Sequence, residues 1–299
     1  EDAMFAAGRN GRDLSPAEIA PDHNTWDPFA QNFIGPWGMA KDLSDFSTLD
    51  WWRWRSGQDW LCAEGYGTLV RRYARYIPMR LSTPARRVQW GGRQVAVETD
   101  SGTLKGRAAI ITVSTGVLAE GAISFEPALP VQKMEAAQKV SMGTYNNIGL
   151  QIPQLAVEPN TWVFYKHSGK DAAGMLANAN GTGLVYMFVG GRFGRQLEDA
   201  GERETLAWAL EEVGRNFGTN IRRNIRKALV TSWTYDPWSR GAYASALPGH
   251  ADKRNELRKP VGERLFFAGE ACHPSMWGTC HGAAETGEST ALEVAEVVQ

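Results

Sequence analysis

Hydrophobic positions along this chain change period several times, and each change predicts an element. From Leu69 to Ile77 they recur at helical spacing. Val88–Trp90 and Val95–Thr99 alternate as strands do, Asp100-Ser-Gly102 reads as a turn, and Thr103–Arg107 returns as the hairpin partner. Ala108–Val113 is a nearly continuous apolar run, as expected of a strand buried on both faces. Ile148–Ile152, Trp162–Tyr165, Leu184–Val189 and Leu229–Trp233 predict further strands. Glu202–Phe217 predicts a helix with Leu206, Leu210, Val213 and Phe217 on one face. Leu265–Ala268 predicts a short buried strand ending at Gly269-Glu270, and Leu292, Val294, Ala295 and Val298 predict the apolar face of a C-terminal helix. The first 60 or so residues predict short helices broken at Pro28 and Pro36, with Ser15-Pro16-Ala-Glu18 as a capping box.

Composition narrows the class. The 299 residues can bury one large core or two modest ones. A net charge of -1 gives no electrostatic grip on nucleic acid or an anionic membrane. No stretch approaches the roughly eighteen apolar residues of a membrane span. The start, Glu1-Asp2-Ala3-Met4, has no basic and then apolar leader, so localisation stays open with a soluble, cytoplasmic protein favoured. Three Cys without spacing and five scattered His predict neither a disulfide framework nor a metal site. Of twelve Trp, four (Trp51, Trp52, Trp54, Trp60) fall within ten residues; a Trp-rich core or seam is the plainer expectation, a substrate-facing wall the alternative.

The C-terminal strand delivers one acid, Glu270, and a loop of small residues then opens a helix at Gly282-Ala283-Ala284. A helix start with free N–H groups and no bulky side chain suits a planar ligand that becomes negative, while tight packing is the plainer alternative. Phe267-Ala-Gly-Glu270, eight residues and Thr279-Cys-His-Gly-Ala283 resemble the C-terminal FAD motif of the flavin amine oxidases, nearest the demethylase and polyamine oxidase branch. Gly65–Val70, Leu81–Ala85, Ile110–Leu118, Phe125–Pro130 and Trp233–Tyr243 match the same family in order.

The resemblance implies an α/β fold: an FAD-binding domain interleaved with a mixed-sheet plus helices substrate domain. Its segments would run 1–62 (substrate, helical), 63–128 (FAD, middle), 129–245 (substrate, sheet) and 246–299 (FAD, C-terminal). It implies that Glu270 accepts from a hydroxyl of the ribityl chain, that the backbone at Thr279, Cys280, Gly282 and Ala283 lies against the flavin, and that Ala85 contacts the adenine side. Tyr243 would wall the substrate side, with Thr279 opposite it, so a two-ring cage is not expected. Asn147 stands where the family has a Lys that holds a water at flavin N5; Asn can hold the water but brings no positive charge. Ala242 stands where monoamine oxidases carry the Cys that bonds the flavin, so FAD should be non-covalent. Trp238 reads as a core residue, Trp233 as an anchor for the strand presenting Tyr243, and Asp236-Pro237 as a turn.

A flavin amine oxidase also has a Gly-x-Gly-x-x-Gly turn for the pyrophosphate. This sequence has none; Gly190-Gly-Arg-Phe-Gly194 does not fit the spacing and reads as a turn. The expectation is therefore a second chain or segment carrying that fingerprint. The implied reaction is oxidation of an amine or amino acid with oxygen as final acceptor, releasing hydrogen peroxide. A non-catalytic subunit and a flavin-dependent C–C desaturase are the alternatives.

Overall fold

A computed structural model describes residues 1–20, 27–55, 57, 60–153, 155–164 and 172–298. Its elements begin with α1 (Asp2–Arg9), α2 (Asp27–Asn32) and α3 (Thr48–Arg53). Pro28 sits in the first turn of α2, where its missing N–H costs nothing, so it starts a helix rather than breaking one. Pro36 lies inside a π-type turn, Phe33–Trp37. Ser15 caps as expected, its Oγ accepting from Ala17 N at 3.2 Å, but only a single 3-10 turn, Pro16–Glu18, follows.

The next run holds α4 (Tyr66–Tyr73), the strands β1 (Ala85–Gln89), β2 (Val95–Thr99), β3 (Gly102–Gly106) and β4 (Ala109–Ile111), then α5 (Thr115–Ala119) and β5 (Ser124–Glu126). The β2–β3 hairpin closes through Asp100-Ser101, with Thr99 opposite Gly102, and Gly102 takes a positive φ that other residues resist. The apolar run at 108–113 contributes strand only at Ala109–Ile111, because Ser114 already caps α5 by accepting from Val117 N. The predicted 69–77 helix is α4 plus a 3-10 turn, Ala74–Tyr76, and α4 buries no residue.

Then follow α6 (Val131–Lys139), β6 (Val140–Met142), β7 (Tyr145–Gln151), β8 (Thr161–Val163), β9 (Gly174–Ala179) and β10 (Leu184–Gly190). After them come α7 (Gly191–Ala200), α8 (Glu202–Phe217), β11 (Lys227–Val230) and β12 (Ala244–Ala246). The predicted strand at 162–165 ends at Val163, with Tyr165 outside the described residues, and the strand predicted at 229–233 ends at Val230. Five strands pair in the order β11-β7-β10-β9-β8. In β7, Ile148 and Leu150 point into a core with Val185, Met187, Ala209 and Val213, while Tyr145 and Asn147 take the opposite face. The predicted turn at 190–194 is a correction: Gly190 ends β10 and Gly191 starts α7. A Cβ on Gly190 would lie 1.9 Å from the Pro36 carbonyl oxygen, so only Gly permits this strand-to-helix junction.

The chain closes with α9 (Lys253–Arg258), β13 (Leu265–Phe267) and α10 (Cys280–Val297). β13 runs parallel to β4, and both feed a core with Val88, Val140, Ala244, Leu257 and Cys272. Burying a side chain such as Phe267 stabilises by about 1.5–3 kcal/mol. The predicted apolar face of α10 is also corrected: Leu292 is 70% exposed, and the buried stripe is Gly282, Thr286 and Thr290. Thr286 Oγ1 bonds the Gly269 carbonyl at 3.0 Å, so small residues and a hydroxyl dock this helix on the loop after β13. Among the described residues no helix is long and apolar enough to cross a membrane.

Candidate functional site

Two cavities are linked through Glu270, which lines one and bonds Gly278 of the other. The first, about 250 Å³, opens at the carboxyl ends of the parallel strands β4 and β13, where α/β sheets place ligands. Ile111–Thr115 and Phe267–Cys272 form its walls, Ala242 and Ala283 flank it, and Trp238 lies across it. Trp238 is 65% exposed, which overturns its reading as a core residue. The second cavity, about 810 Å³, is lined by rings, among them Trp37, Trp54, Tyr145, Trp162, Phe164 and Tyr243.

Glu270 begins a 3-10 turn just after β13, so the strand and Gly269 (φ 126°) together aim its carboxylate. Oε1 accepts from Ala244 N at 3.0 Å and Oε2 from Gly278 N at 2.7 Å. Glu270 lines the smaller cavity, while Gly278 and Tyr243 line the larger one. Burial pushes the Glu270 carboxyl above its ordinary range, and Arg254 and the two backbone N–H groups oppose that shift.

Thr279 is the N-cap of α10: its Oγ1 accepts from Gly282 N at 3.0 Å and donates to Met276 O at 2.5 Å. His273 steadies the same loop, its Nδ1 accepting from Met276 N at 2.7 Å and from Ser275 N at 3.1 Å. That leaves the proton on Nε2, which faces Glu285 Oε2 at 3.2 Å. Gly282 is buried, and a Cβ there would sit 2.1 Å from the Met276 carbonyl oxygen. It is a packing glycine, so its role in letting a ligand approach the backbone is not what its surroundings require. Ala283 does line the smaller cavity, and Cys280 is exposed.

Tyr243 stands at the entry to β12. Its hydroxyl donates to Trp37 O at 3.0 Å, and its ring lies 5.7 Å from that of Tyr145. Burial pushes its phenol above the ordinary range, with the nearby Glu270 adding to the shift. Asn147 lies opposite Phe188 in the β7–β10 pair and on the Tyr145 face, but lines neither cavity. Ala85 opens β1 and also lines neither. Asp236 makes the expected turn, its Oδ1 accepting from Trp238 N at 2.7 Å. Trp233 is not in a strand; its carbonyl accepts from Gly241 N at 2.9 Å, closing the loop that leads to Tyr243.

Several site residues were not anticipated. Trp37, Tyr145, Trp162, Phe164 and Phe188 form a continuous set of rings, with Trp37 stacked on Phe188 at 5.9 Å and 14° and within 5.4 Å of Trp162. Their period-2 spacing in β7 and β10 is the signal that could have found Tyr145 and Phe188, whereas Trp37 arrives from a π-type turn. Trp51, Trp52 and Trp54 line this cavity, so three of the four clustered Trp face a cavity, and Trp60 is 82% exposed.

The smaller cavity can be tested against a flavin-type group. The buried Thr115 Oγ1 has no hydrogen-bond partner among the described residues, and Thr115 lines the cavity beside Glu270. An orphaned hydroxyl and a carboxylate with spare lone pairs fit the hydroxyls of a polyol chain. The volume lies below the roughly 300–1,000 Å³ of an ordinary cofactor site, so these residues fit part of a dinucleotide.

Comparisons with known proteins identify the family and the fold. Residues 21–295 match the model of the family described as flavin containing amine oxidoreductase. Lysine-specific histone demethylase 1 homolog 1 of Oryza sativa subsp. japonica is 30% identical over 241 residues, covering 77% of this chain and 28% of its own. Polyamine oxidase 4 of the same organism is 29% identical over 263 residues, covering 85% and 53%. Among solved structures, a redesigned double mutant of putrescine oxidase superposes with a TM-score of 0.80 at 19% identity, over 95% of this chain and 68% of that one. Cyclohexylamine oxidase from Brevibacterium oxydans gives 0.77 at 20% identity, over 99% and 70%. The chain thus spans about half, or less, of the length of these curated relatives.

Proposed function

The chain belongs to the flavin containing amine oxidoreductase family, and from that premise we propose that it carries the substrate face and part of the cofactor face of an FAD-dependent enzyme oxidising an amine or amino acid. The observation that carries this reading is Glu270. One carboxylate lines the cavity that fits a polyol chain and accepts from the backbone of Gly278 in the ring-lined cavity beside it. A cofactor in one cavity and an organic amine in the other would meet at that boundary.

In this reading Glu270 and Thr115 hold the polyol chain by hydrogen bonds. The backbone at Thr279, Cys280, Gly282 and Ala283 presents the start of α10, whose positive end favours negative charge on a bound group. Tyr243, locked by its bond to Trp37 O, limits how the amine can lie. Asn147 orients a water by its amide, and Ala85 contributes backbone to the adenine side. Bound FAD, held without a covalent bond, would supply the two-electron acceptor for the C–N bond, with oxygen as final acceptor and hydrogen peroxide as product.

A second chain or segment with a Gly-x-Gly-x-x-Gly turn would complete the cofactor site. Three features support this: the sequence lacks that fingerprint, the smaller cavity holds only part of a dinucleotide, and α4 leaves Leu69, Val70 and Tyr73 exposed. The interleaved segments 1–62, 63–128, 129–245 and 246–299 follow from the same reading.

The test is an absorbance spectrum of the protein purified with its completing segment, before and after adding amines and amino acids without oxygen. Flavin bands that bleach with one compound support the reading. Flavin that never bleaches with any of them overturns amine oxidation, and no flavin at all leaves a non-catalytic subunit.

A further inference from the structure

We propose that the substrate is a monoamine with a bulky apolar or aromatic body, and that amines bearing a second positive charge are discriminated against. This rests on the amine-oxidising reading above and adds the substrate class. The ring-lined cavity, about 810 Å³, is large enough for an organic ligand of drug size. Four of its lining rings form one connected wall, joined in the middle by Phe188, which does not itself line the cavity: Tyr243 to Tyr145 at 5.7 Å, Tyr145 to Phe188 at 6.1 Å, Phe188 to Trp37 at 5.9 Å, and Trp37 to Trp162 at 5.4 Å. The wall ends at Phe164, stacked on Trp162 at 6.4 Å and 16°, where both rings are about half exposed and mark the mouth.

Charge is sparse along this wall. Among the described lining residues the charged side chains are Glu1 and Arg55. The Arg55 guanidinium is already bound to the carbonyls of Trp52 at 2.6 Å and Trp54 at 2.8 Å. Glu1 is the first residue of the described chain and is exposed. A second ammonium drawn among the rings would lose its hydration, and ring faces return only part of that loss. An apolar body gains from the same surface in proportion to the area it covers. The wall is also rigid: a Cβ on Gly174 would sit 2.8 Å from the Trp37 ring, so the indole has no room to swing toward β9.

Calorimetric titration of the flavin-free protein with its completing segment, followed by anaerobic flavin bleaching of the same assembly loaded with FAD, would compare 2-phenylethylamine and cyclohexylmethylamine with putrescine and spermidine. We expect the apolar monoamines to bind at least about tenfold tighter and to bleach the flavin at lower concentration. Trp162→Ala should weaken their binding with little change in bleaching rate at saturation, and Phe164→Glu at the exposed mouth should narrow or reverse the preference. Putrescine or spermidine binding as tightly as the monoamines overturns the proposal and leaves amine oxidation standing. Equal affinity of Trp162→Ala and the parent for the monoamines overturns it too. Flavin that no amine bleaches, in protein where phenylethylamine does bind the cavity, overturns the oxidase reading and not the ring-lined site.

Discussion

Arg254 and Asp50, 204 residues apart in sequence, form a two-pronged ion pair in the interior: Nε to Oδ1 at 2.7 Å and Nη2 to Oδ2 at 2.8 Å. Their side chains are 3% and 1% exposed. Asp50 Oδ2 also accepts from Ala246 N, and Arg254 donates to the carbonyls of Ala244 and Ala271. Lys41 donates to Ser245 O at 2.6 Å. Every residue of β12, the strand that follows Tyr243, is therefore held by a buried charge. The arginine also joins that strand to the loop carrying Glu270, and its guanidinium lies 4.4 Å from the centre of the Trp277 ring.

Removing one partner leaves the other charge buried alone. Arg254→Met or Asp50→Leu should each cost about 3–5 kcal/mol of unfolding free energy. The double variant should cost less than the sum, because no lone charge remains. It should still fall below the parent, because the Ala246 N–H and the Ala244 and Ala271 carbonyls lose partners. Denaturant unfolding of the four proteins measures this cycle, and additive costs would show that the pair is not coupled.

Lys41 predicts a pH dependence. Burial lowers its ammonium to about 7, and Asp50 is the largest opposing influence. Between about 7 and the ordinary value of 10.5, the folded chain has lost this proton while the unfolded chain still holds it. The unfolded state binds more protons, so this group's contribution to stability rises with pH across that window and is flat below it. The rise is at most about 1.4 kcal/mol per pH unit. Unfolding free energies of the parent and Lys41→Met from pH 6 to 10 should diverge in slope above pH 7; parallel curves would contradict the buried ammonium.

The sheet strands were legible where one face is buried, because alternation in Ile148–Ile152 and Leu184–Val189 records which face meets the core. The 202–217 helix was legible for the same reason at a longer period, and glycines at 201 and 218 bound it. The junction at Gly190-Gly191 was not, since the need for glycine comes from the Pro36 carbonyl, 154 residues away in sequence. Leu292 misled because its helix docks through Thr286 and Thr290, whose hydroxyls satisfy themselves on backbone carbonyls.

At the site, Glu270 and Thr279 could be picked out because strand, acid and cap are local patterns. Lys41, Asp50 and Arg254 carry no local pattern; each matters through partners from distant segments. The aromatic wall is assembled from a π-type turn, three strands and two residues just outside strands, Phe164 and Tyr243, and no single window contains enough of it to be seen.

Two glycines of α10 should behave oppositely. A Cβ at position 282 meets the Met276 carbonyl oxygen at 2.1 Å, whereas nothing lies within 4 Å at position 287. Gly282→Ala should displace the Met276–Thr279 loop and destabilise by about 1–3 kcal/mol, as overpacking does. Gly287→Ala should stabilise by about 0.5–1 kcal/mol, since Ala is the better helix former. Thermal unfolding of both variants gives the comparison; equal effects would mean that the loop yields without cost.

Glu270→Gln probes the acid between the two cavities. Both carboxylate oxygens accept a backbone N–H, from Ala244 and from Gly278, and an amide can offer an acceptor to only one of them. The other N–H would face an NH₂ group, so the variant should lose about 1–3 kcal/mol of stability. The variant would also remove one of the two carboxylates, Asp50 and Glu270, that offset Lys41 and Arg254 in this cluster. Glu270 helps keep the Lys41 ammonium protonated, so its neutralisation should move the Lys41 midpoint below 7. The slope difference between Glu270→Gln and the Glu270→Gln, Lys41→Met double variant should then begin at a lower pH than in the parent pair. An unchanged onset would place Glu270 outside the field that Lys41 senses.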